Sequence, residues 1–343
     1  MMRTQLLWSA DERYSNHRIP GMIVTKQGTL LVYCEARVTS EDWALMDIFL
    51  QRSEDQGMSF GEKIYLARGT EKHKTVNNPV MVEDRNGRIH FLYCEDYSIE
   101  EGRVLHRYSD DDGLSWSEAE DITSATRPQE RGAFALGPGH GILTPAGALV
   151  IPIWMVPRRF EAKLHSHKPS VVSALYSTDD GLTWQLGDVL GCTDCIISPN
   201  ETEAVVTSRG DVYFSIRHMS MQRVRAYTPN GYSQFWDYAP EYSLPDPCCF
   251  GSVAAFSDGK NPYTLLFANC ATKESRSRVA IRASFDDGKT WSSEMVLDEQ
   301  RGGYVELAVD SRQGLIYVLY ENAKGESNHL DTMDYQALLK GIR

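Results

Sequence analysis

A turn motif that recurs along the chain constrains the fold more than any other feature of the sequence. Its pattern is Ser/Thr-x-Asp-x-Gly-x-Ser/Thr followed by Trp or Phe. Clear copies begin at Ser53, Ser109, Ser177 and Ser284, and a degenerate copy begins at Thr228. Successive copies are separated by 56, 68, 51 and 56 residues, so the motif marks a structural unit of nearly constant size.

Each copy has the chemistry of a tight turn between two strands. Asp and Ser side chains accept hydrogen bonds from nearby backbone N–H groups, Gly adopts positive φ, and the aromatic residue packs beside the turn. Segments such as 45–50 and 314–320 have the composition of strands, and helical periodicity is confined to 331–340. A repeat of about 50–60 residues with about four short strands is one propeller blade. The sequence therefore predicts an all-β, six-bladed β-propeller, with residues 1–343 as a single domain.

Charge and hydropathy exclude several classes of partner. The chain has 35 basic and 47 acidic residues, a net charge of −12, which disfavours nucleic acid. An anionic ligand would therefore need positive charge concentrated in a pocket. Mean hydropathy is −0.39, and no apolar run approaches the ~18–20 residues that cross a bilayer. Acidic residues follow the first residues too closely for a signal peptide. We therefore expect a cytoplasmic protein that binds no membrane.

The cysteines suggest neither a disulfide framework nor a metal site. Seven are present, without regular spacing. Cys192 and Cys195 form a single CxxC pair, and no second pair lies at the spacing that zinc would require. Cys248 and Cys249 are interpreted as buried packing residues. We expect no metal and no cofactor.

Four other segments carry residues suited to chemistry. They are Arg18-Ile19-Pro20, Gly137-Pro138-Gly139-His140-Gly141-Ile142, Asn200-Glu201-Thr202-Glu203-Ala204 and Gly302-Gly303-Tyr304-Val305-Glu306-Leu307. On the basis of these segments, the chain resembles the sialidase (neuraminidase) superfamily from Arg18 to about Tyr304. The repeated turns are similar to the Asp-boxes of that family. Non-enzymatic propellers carry Asp-boxes too, so an expectation of activity depends on the dispersed residues.

The resemblance implies a role for seven residues. Asp42 would be the acid/base, Glu201 the base and Tyr304 the nucleophile. The substrate carboxylate would be held by Arg18, Arg217 and Arg276, and Arg37 would line the pocket. Two positions depart from the family pattern, since His17 replaces an aromatic residue and Val305 a small one.

Alternatives remain open at several of these positions. They are Asp47 for Asp42, Glu203 for Glu201, Arg223 or Arg225 for Arg217, and Arg278 for Arg276. We interpret Asp47 as structural because it lies in an apolar strand, and Arg223 and Arg225 as solvated. His140 is interpreted as a structural hydrogen-bonding residue rather than a catalytic base.

The chemistry of sialic acid explains why such a set would be needed. Its anomeric carbon also carries a carboxylate, which arginine forks bind bidentately. That charge would repel a carboxylate nucleophile but not a neutral phenol. The phenol then needs a base, and the arginines should favour the phenolate. We expect a retaining exo-α-sialidase that acts on sialylated glycans through a covalent tyrosyl intermediate. The alternatives are a Kdn or Kdo hydrolase, a trans-sialidase and a non-catalytic sialic-acid-binding propeller.

Overall fold

Six sheets follow one another along the chain in the computed structural model, which describes residues 2–96, 102–126, 131–157 and 168–342. Their strands pair antiparallel except for one short added strand. The innermost strands of successive sheets contact each other around a common axis. This arrangement confirms the predicted all-β, six-bladed propeller. Among the described residues, no helix has the length and apolar character that crossing a bilayer requires.

The strands are numbered in chain order and given blade by blade, from the innermost strand outward. Strand β1, Met2–Ser9, belongs to blade six. Blade one contains β2 Asn16–Val24, β3 Leu30–Arg37, β4 Met46–Ser53 and β5 Ile64–Arg68. Blade two contains β6 Val76–Glu83, β7 Ile89–Glu95, β8 Arg103–Ser109 and β9 Glu120–Asp121. Blade three contains β10 Arg131–Leu136, β12 Ile142–Leu143, β13 Leu149–Pro157, β14 Val171–Ser177 and β15 Gln185–Leu186.

The remaining blades follow the same order. Blade four contains β16 Thr202–Val206, β17 Val212–Arg217, β18 Gln222–Thr228 and β19 Trp236–Pro245. Blade five contains β20 Ser252–Phe256, β21 Thr264–Cys270, β22 Val279–Ser284 and β23 Met295–Asp298. Blade six contains β24 Val305–Asp310, β25 Leu315–Glu321 and β26 Ser327–Asp334. Strand β11, Gly139–His140, pairs in parallel with β6, a 3-10 turn spans Thr123–Thr126, and helix α1 spans Tyr335–Gly341.

Blade six is completed by residues from both ends of the chain. Strand β1 pairs antiparallel with β26, from Met2 opposite Met333 to Ser9 opposite Ser327. The third and outermost strands of this blade are therefore not joined by a turn. This topology explains why five of the six blades carry the turn motif and the sixth does not.

The repeated motif forms the turn between the third and outermost strands, as the sequence predicted. In blade one, Ser53 Oγ accepts a hydrogen bond from Gly57 N at 2.8 Å, and Asp55 Oδ1 accepts one from Ser59 N at 2.8 Å. Gln56 and Gly57 both have left-handed backbones, with φ of 61° and 74°. This conformation favours glycine at the second position.

The degenerate copy in blade four folds as a shortened version of the same turn. Thr228 Oγ1 accepts from Gly231 N, and Asn230 Oδ1 accepts from Ser233 N at 3.0 Å. Each bond spans one residue fewer than its counterpart in blade one. Asn can replace Asp because its amide oxygen accepts the same backbone hydrogen bonds.

Three buried histidines should make the fold sensitive to acid. Burial lowers the pKa of His17 and His218 to about 4 and that of His106 to about 3. A group with a depressed pKa in the folded state takes up its proton first in the unfolded chain. Stability is therefore complete above the unfolded value of about 6.5 and is lost as the pH falls toward the folded values.

We expect calorimetry to show a falling Tm between pH 6.5 and pH 4. Carboxylates contribute to acid unfolding as well, so the variant His106→Asn separates the effects. Its Tm should decline less steeply over this range than that of the wild type. Equal slopes for the two proteins would contradict the assignment to His106.

Candidate active site

One pocket collects all seven residues that the sequence analysis selected. It has a volume of about 280 Å³ and is lined by Arg18, Arg37, Asp42, Glu201, Arg217, Arg276 and Tyr304, together with Ile19, Trp43, Asn77, Asn78, Trp154, Lys168 and Asn200. Arg18 lies near the start of β2, while Glu201 and Tyr304 immediately precede β16 and β24. Because inner strands of a propeller run in the same direction, their starts meet at one end of the axis.

Tyr304 and Glu201 form a hydrogen-bonded pair at the floor of this pocket. The Tyr304 hydroxyl donates to Glu201 Oε1, and Arg217 donates to Glu201 Oε2. Arg217 Nη1 also lies 3.2 Å from Tyr304 Oη. The phenol is therefore in direct contact with a carboxylate that can accept its proton.

The pKa of Tyr304 is raised well above its usual value. Burial is the largest cause and the charge of Glu201 adds to it, whereas Arg217 and Arg276 lower the pKa. The arginines thus act in the direction that the sequence analysis expected, but burial outweighs them. The resting phenol is neutral, so it would not repel an anionic ligand.

Three arginines surround the tyrosine. The guanidinium carbons of Arg18 and Arg276 lie 5.3 and 5.5 Å from the centroid of the Tyr304 ring, and Arg217 contacts its hydroxyl. Within the described ranges, Arg276 has no carboxylate partner at salt-bridge distance. Positive charge is thus concentrated here in a chain whose net charge is −12.

Glu321 supports this cluster from strand β25, and the sequence analysis did not select it. Its Oε1 accepts from Arg18 Nε at 2.9 Å and from Ile19 N at 2.7 Å, while Oε2 accepts from Tyr304 N at 3.1 Å. Ile19 has a φ of 55°, which is unusual for a β-branched residue. One buried carboxylate therefore stabilises a strained backbone and orients both an arginine and the tyrosine.

Glu35 has the equivalent position in blade one and was also missed. It accepts from Arg37 Nε at 2.8 Å and from the backbone N of Asn78 at 2.7 Å, and Asn78 has a φ of 50°. Arg37 in turn donates from Nη1 to Asp42 Oδ1 at 2.7 Å. The chain of contacts holds Asp42, whose side chain is 57% exposed, at the pocket mouth. Glu35 and Glu321 each follow an apolar strand run, and this pattern was the available signal in the sequence.

Comparisons with known proteins identify the family to which the chain belongs. The BNR repeat-like domain family matches residues 28–327, most of the chain. The chain belongs to the sialidase superfamily. Sialidase-2 of Cricetulus griseus is 28% identical over 335 residues, which cover 87% of this chain and 84% of the relative. A sialidase of Micromonospora viridifaciens is 30% identical over 343 residues, covering 89% of this chain and 50% of the relative.

Solved sialidase structures share the fold. The Hadza microbial sialidase Hz136 superposes with a TM-score of 0.84 at 23% identity, over 96% of this chain and 67% of the other. The intramolecular trans-sialidase from Ruminococcus gnavus superposes with a TM-score of 0.80 at 15% identity, over 98% of each chain. At these identities the superpositions support the propeller architecture alone.

The alternative site residues of this sialidase-superfamily chain lie elsewhere. Asp47 accepts from Tyr14 Oη at 2.6 Å, which agrees with its interpretation as structural. Arg278 pairs with two surface glutamates, and Arg225 pairs with an aspartate and a glutamate. Glu203 is fully buried beneath the pocket. None of the four lines the pocket that contains Tyr304.

Arg223 corrects one interpretation made from the sequence. It was expected to be solvated, but its side chain is fully buried. Its guanidinium donates to the backbone oxygens of Cys249 and Ser215, both at 2.9 Å, and lies 3.5 Å from Asp246. A buried guanidinium is tolerated because these acceptors replace its water. Arg223 therefore has a structural role beneath the site.

The described residues contain one group of three potential metal ligands, His140, Glu203 and Glu306. It lies on the axis below the pocket, where Nδ1 of His140 contacts both glutamates. The seven cysteines are free thiols. Cys192 and Cys195 are exposed, whereas Cys249 is buried as expected and Cys248 is partly buried.

Proposed function

We propose that this protein is a retaining exo-α-sialidase that releases terminal sialic acid from glycans through a covalent tyrosyl intermediate. Membership of the superfamily indicates sialidase or trans-sialidase chemistry in general. The observation that carries the more specific proposal is the Tyr304–Glu201 hydrogen bond inside a ring of three arginines. This arrangement would provide a nucleophile, its base and a site for an anion within one pocket.

The arginines would bind the substrate carboxylate. Arg18 and Arg217 are each held by a glutamate, which fixes the direction of the guanidinium. A guanidinium has five N–H donors, so such a contact leaves others for a ligand. Arg276, without a carboxylate partner in the described part of the chain, would form its ion pair with the substrate.

The first half-reaction would place Tyr304 on the sugar. The phenol oxygen attacks the anomeric carbon while its proton passes to Glu201, the acceptor of its hydrogen bond. The bond between that carbon and the glycosidic oxygen breaks, and Asp42 gives its proton to the departing oxygen. Asp42 is at the exposed mouth, where the leaving group would lie.

The second half-reaction would release the sugar. Asp42, now a carboxylate, removes a proton from water, which attacks the anomeric carbon. The carbon–tyrosine bond breaks, and the phenol oxygen recovers its proton from Glu201. Two displacements at the same carbon give overall retention of configuration.

The experiment that tests this proposal follows hydrolysis of an α-linked sialyllactose by proton NMR. The first product detected should be the α-anomer of free sialic acid, which then mutarotates. Initial release of the β-anomer would refute the retaining mechanism. A sialoside attached to a second sugar would indicate transfer. A protein that binds sialic acid but cleaves no sialoside, Kdn glycoside or Kdo glycoside would be a lectin.

A further inference from the structure

Two inner strands each carry a glutamate directly below the proposed catalytic pair, Glu201 and Tyr304. Glu203 lies two positions after Glu201, and Glu306 lies two positions after Tyr304. Both glutamates are fully buried. His140, on the short strand β11, hydrogen-bonds both of them. We call His140, Glu203 and Glu306 the axial triad.

The contacts of Glu203 require a carboxylate. Its Oε1 accepts from the backbone N of His140 at 3.0 Å and lies 3.1 Å from Nδ1 of the same residue. Its Oε2 accepts from the backbone N of Val253 at 3.0 Å. Both oxygens thus face N–H donors, so neither can carry a proton that would compete with them.

The contacts of Glu306 are those of a carboxylic acid. Its Oε1 lies 2.7 Å from His140 Nδ1. Its Oε2 is buried and receives no hydrogen bond from the described residues. The two carboxyl groups each place an oxygen within 4.8 Å of the other, so a proton on one of them removes the repulsion between two adjacent negative charges. Burial and the charge of Glu203 raise the pKa of Glu306, while both glutamates raise the pKa of His140.

These protonation states leave the axial triad without net charge. An imidazolium, one carboxylate and one carboxylic acid balance, so no unpaired charge is buried on the axis. The triad is also closely packed. Gly139 has a φ of 92°, and a Cβ atom there would lie 1.9 Å from Glu203 Oε1.

We propose that the axial triad is a positioning device that sets Tyr304 against Glu201. The triad joins β11 to the inner strands β16 and β24, two residues beyond the catalytic pair on each of those two strands. A shift of one strand along the other would break the triad and separate the phenol from its base. The device rests on the proposed function, because it positions the two groups of that reaction.

Two isosteric substitutions test the device. Glu306→Gln keeps a donor on one side and an acceptor on the other, so it should imitate the protonated acid and lose little activity. Glu203→Gln puts an amide NH₂ against an N–H donor on whichever side it faces. It should lower kcat by roughly 10²-fold, the effect of a misplacement of about 1 Å. KM should change less than kcat, since two of the three arginines proposed to bind the carboxylate, Arg18 and Arg276, lie on other blades.

Controls separate positioning from misfolding and from the proposed function. Glu54→Gln, on the surface of blade one, should match the wild type in kcat and Tm. Calorimetry should show that Glu203→Gln still binds sialic acid. NMR of ¹⁵N-labelled histidine tests the triad without turnover, and His140 should remain an imidazolium above neutral pH in the wild type but not in Glu203→Gln. If neither the wild type nor any variant cleaves a sialoside, the proposed function fails. The titration of His140 still tests the protonation states of the axial triad in that case.

Two results would overturn the proposal. Equal losses of kcat in Glu203→Gln and Glu306→Gln would mean that both glutamates act as carboxylates. Stoichiometric metal in the purified protein, absent from Glu306→Gln, would mean that the triad holds a cation instead of a proton. Elemental analysis of the same preparations gives that second result.

Discussion

Replacing Tyr304 with phenylalanine should lower kcat on natural sialosides by about 10³-fold or more, because it removes the oxygen that we propose as the nucleophile and leaves no other group in its place. The ring should stay where it is. It packs against Phe250, with the centroids 5.4 Å apart, and lies under Arg18 and Arg276. Sialic acid should therefore still bind to the variant, which calorimetry can measure beside the turnover assay.

Tyr242→Phe is the matched control for this experiment. Tyr242 is 77% exposed and lies on the outer strand of blade four, so its hydroxyl should not affect turnover. A fluorinated sialosyl donor that traps the intermediate should label Tyr304 in the wild type, as read by peptide mass spectrometry. Labelling of another residue, or nearly full activity in Tyr304→Phe, would refute the assignment of the nucleophile.

Replacing Arg276 with methionine should raise KM for sialosides by roughly 10²-fold. The substitution keeps an extended apolar side chain but removes the guanidinium that has no carboxylate partner in the described ranges. Loss of one member of a partly buried charge pair costs about 2–5 kcal/mol of binding. The fold should be little affected, because no ion pair among the residues that the structure describes is broken.

Arg278→Met provides a control two residues away. Arg278 pairs with Glu294 and Glu299 on the surface, outside the pocket. Its loss should leave KM unchanged and have little effect on stability, because exposed ion pairs contribute little. If Arg278→Met raised KM as much as Arg276→Met, the choice between the two arginines would be wrong. Initial-rate kinetics on one sialoside is sufficient to compare them.

The fold could be predicted from the sequence because its signal is local and repeated. Each turn motif satisfies its own hydrogen bonds within eight residues, as between Ser53 and Gly57. The turn therefore forms independently of the residues outside the motif. Its absence from blade six follows from the pairing of β1 with β26, a long-range contact that no local motif encodes.

Residues of the candidate site could be selected from the sequence only where they lie in a recognisable segment. Tyr304 and Glu201 are in such segments, but Glu321 and Glu35 are single acids at the ends of apolar strands. Their partners Arg18 and Asn78 lie 303 and 43 residues away in sequence. Arg223 was misjudged for a related reason, since one carbonyl group that accepts its hydrogen bond, that of Cys249, lies 26 residues away in sequence.

The pairing of β1 with β26 has a consequence for folding, because the two strands are synthesised at different times. Strand β1 is synthesised before β26 and must wait for it before the two can pair, so closure of the ring is a highly non-local step of folding. Arg18 and Glu321 meet across the same junction between blade one and blade six. The pocket therefore cannot assemble on a partial chain, and the appearance of catalytic activity would report completion of the ring.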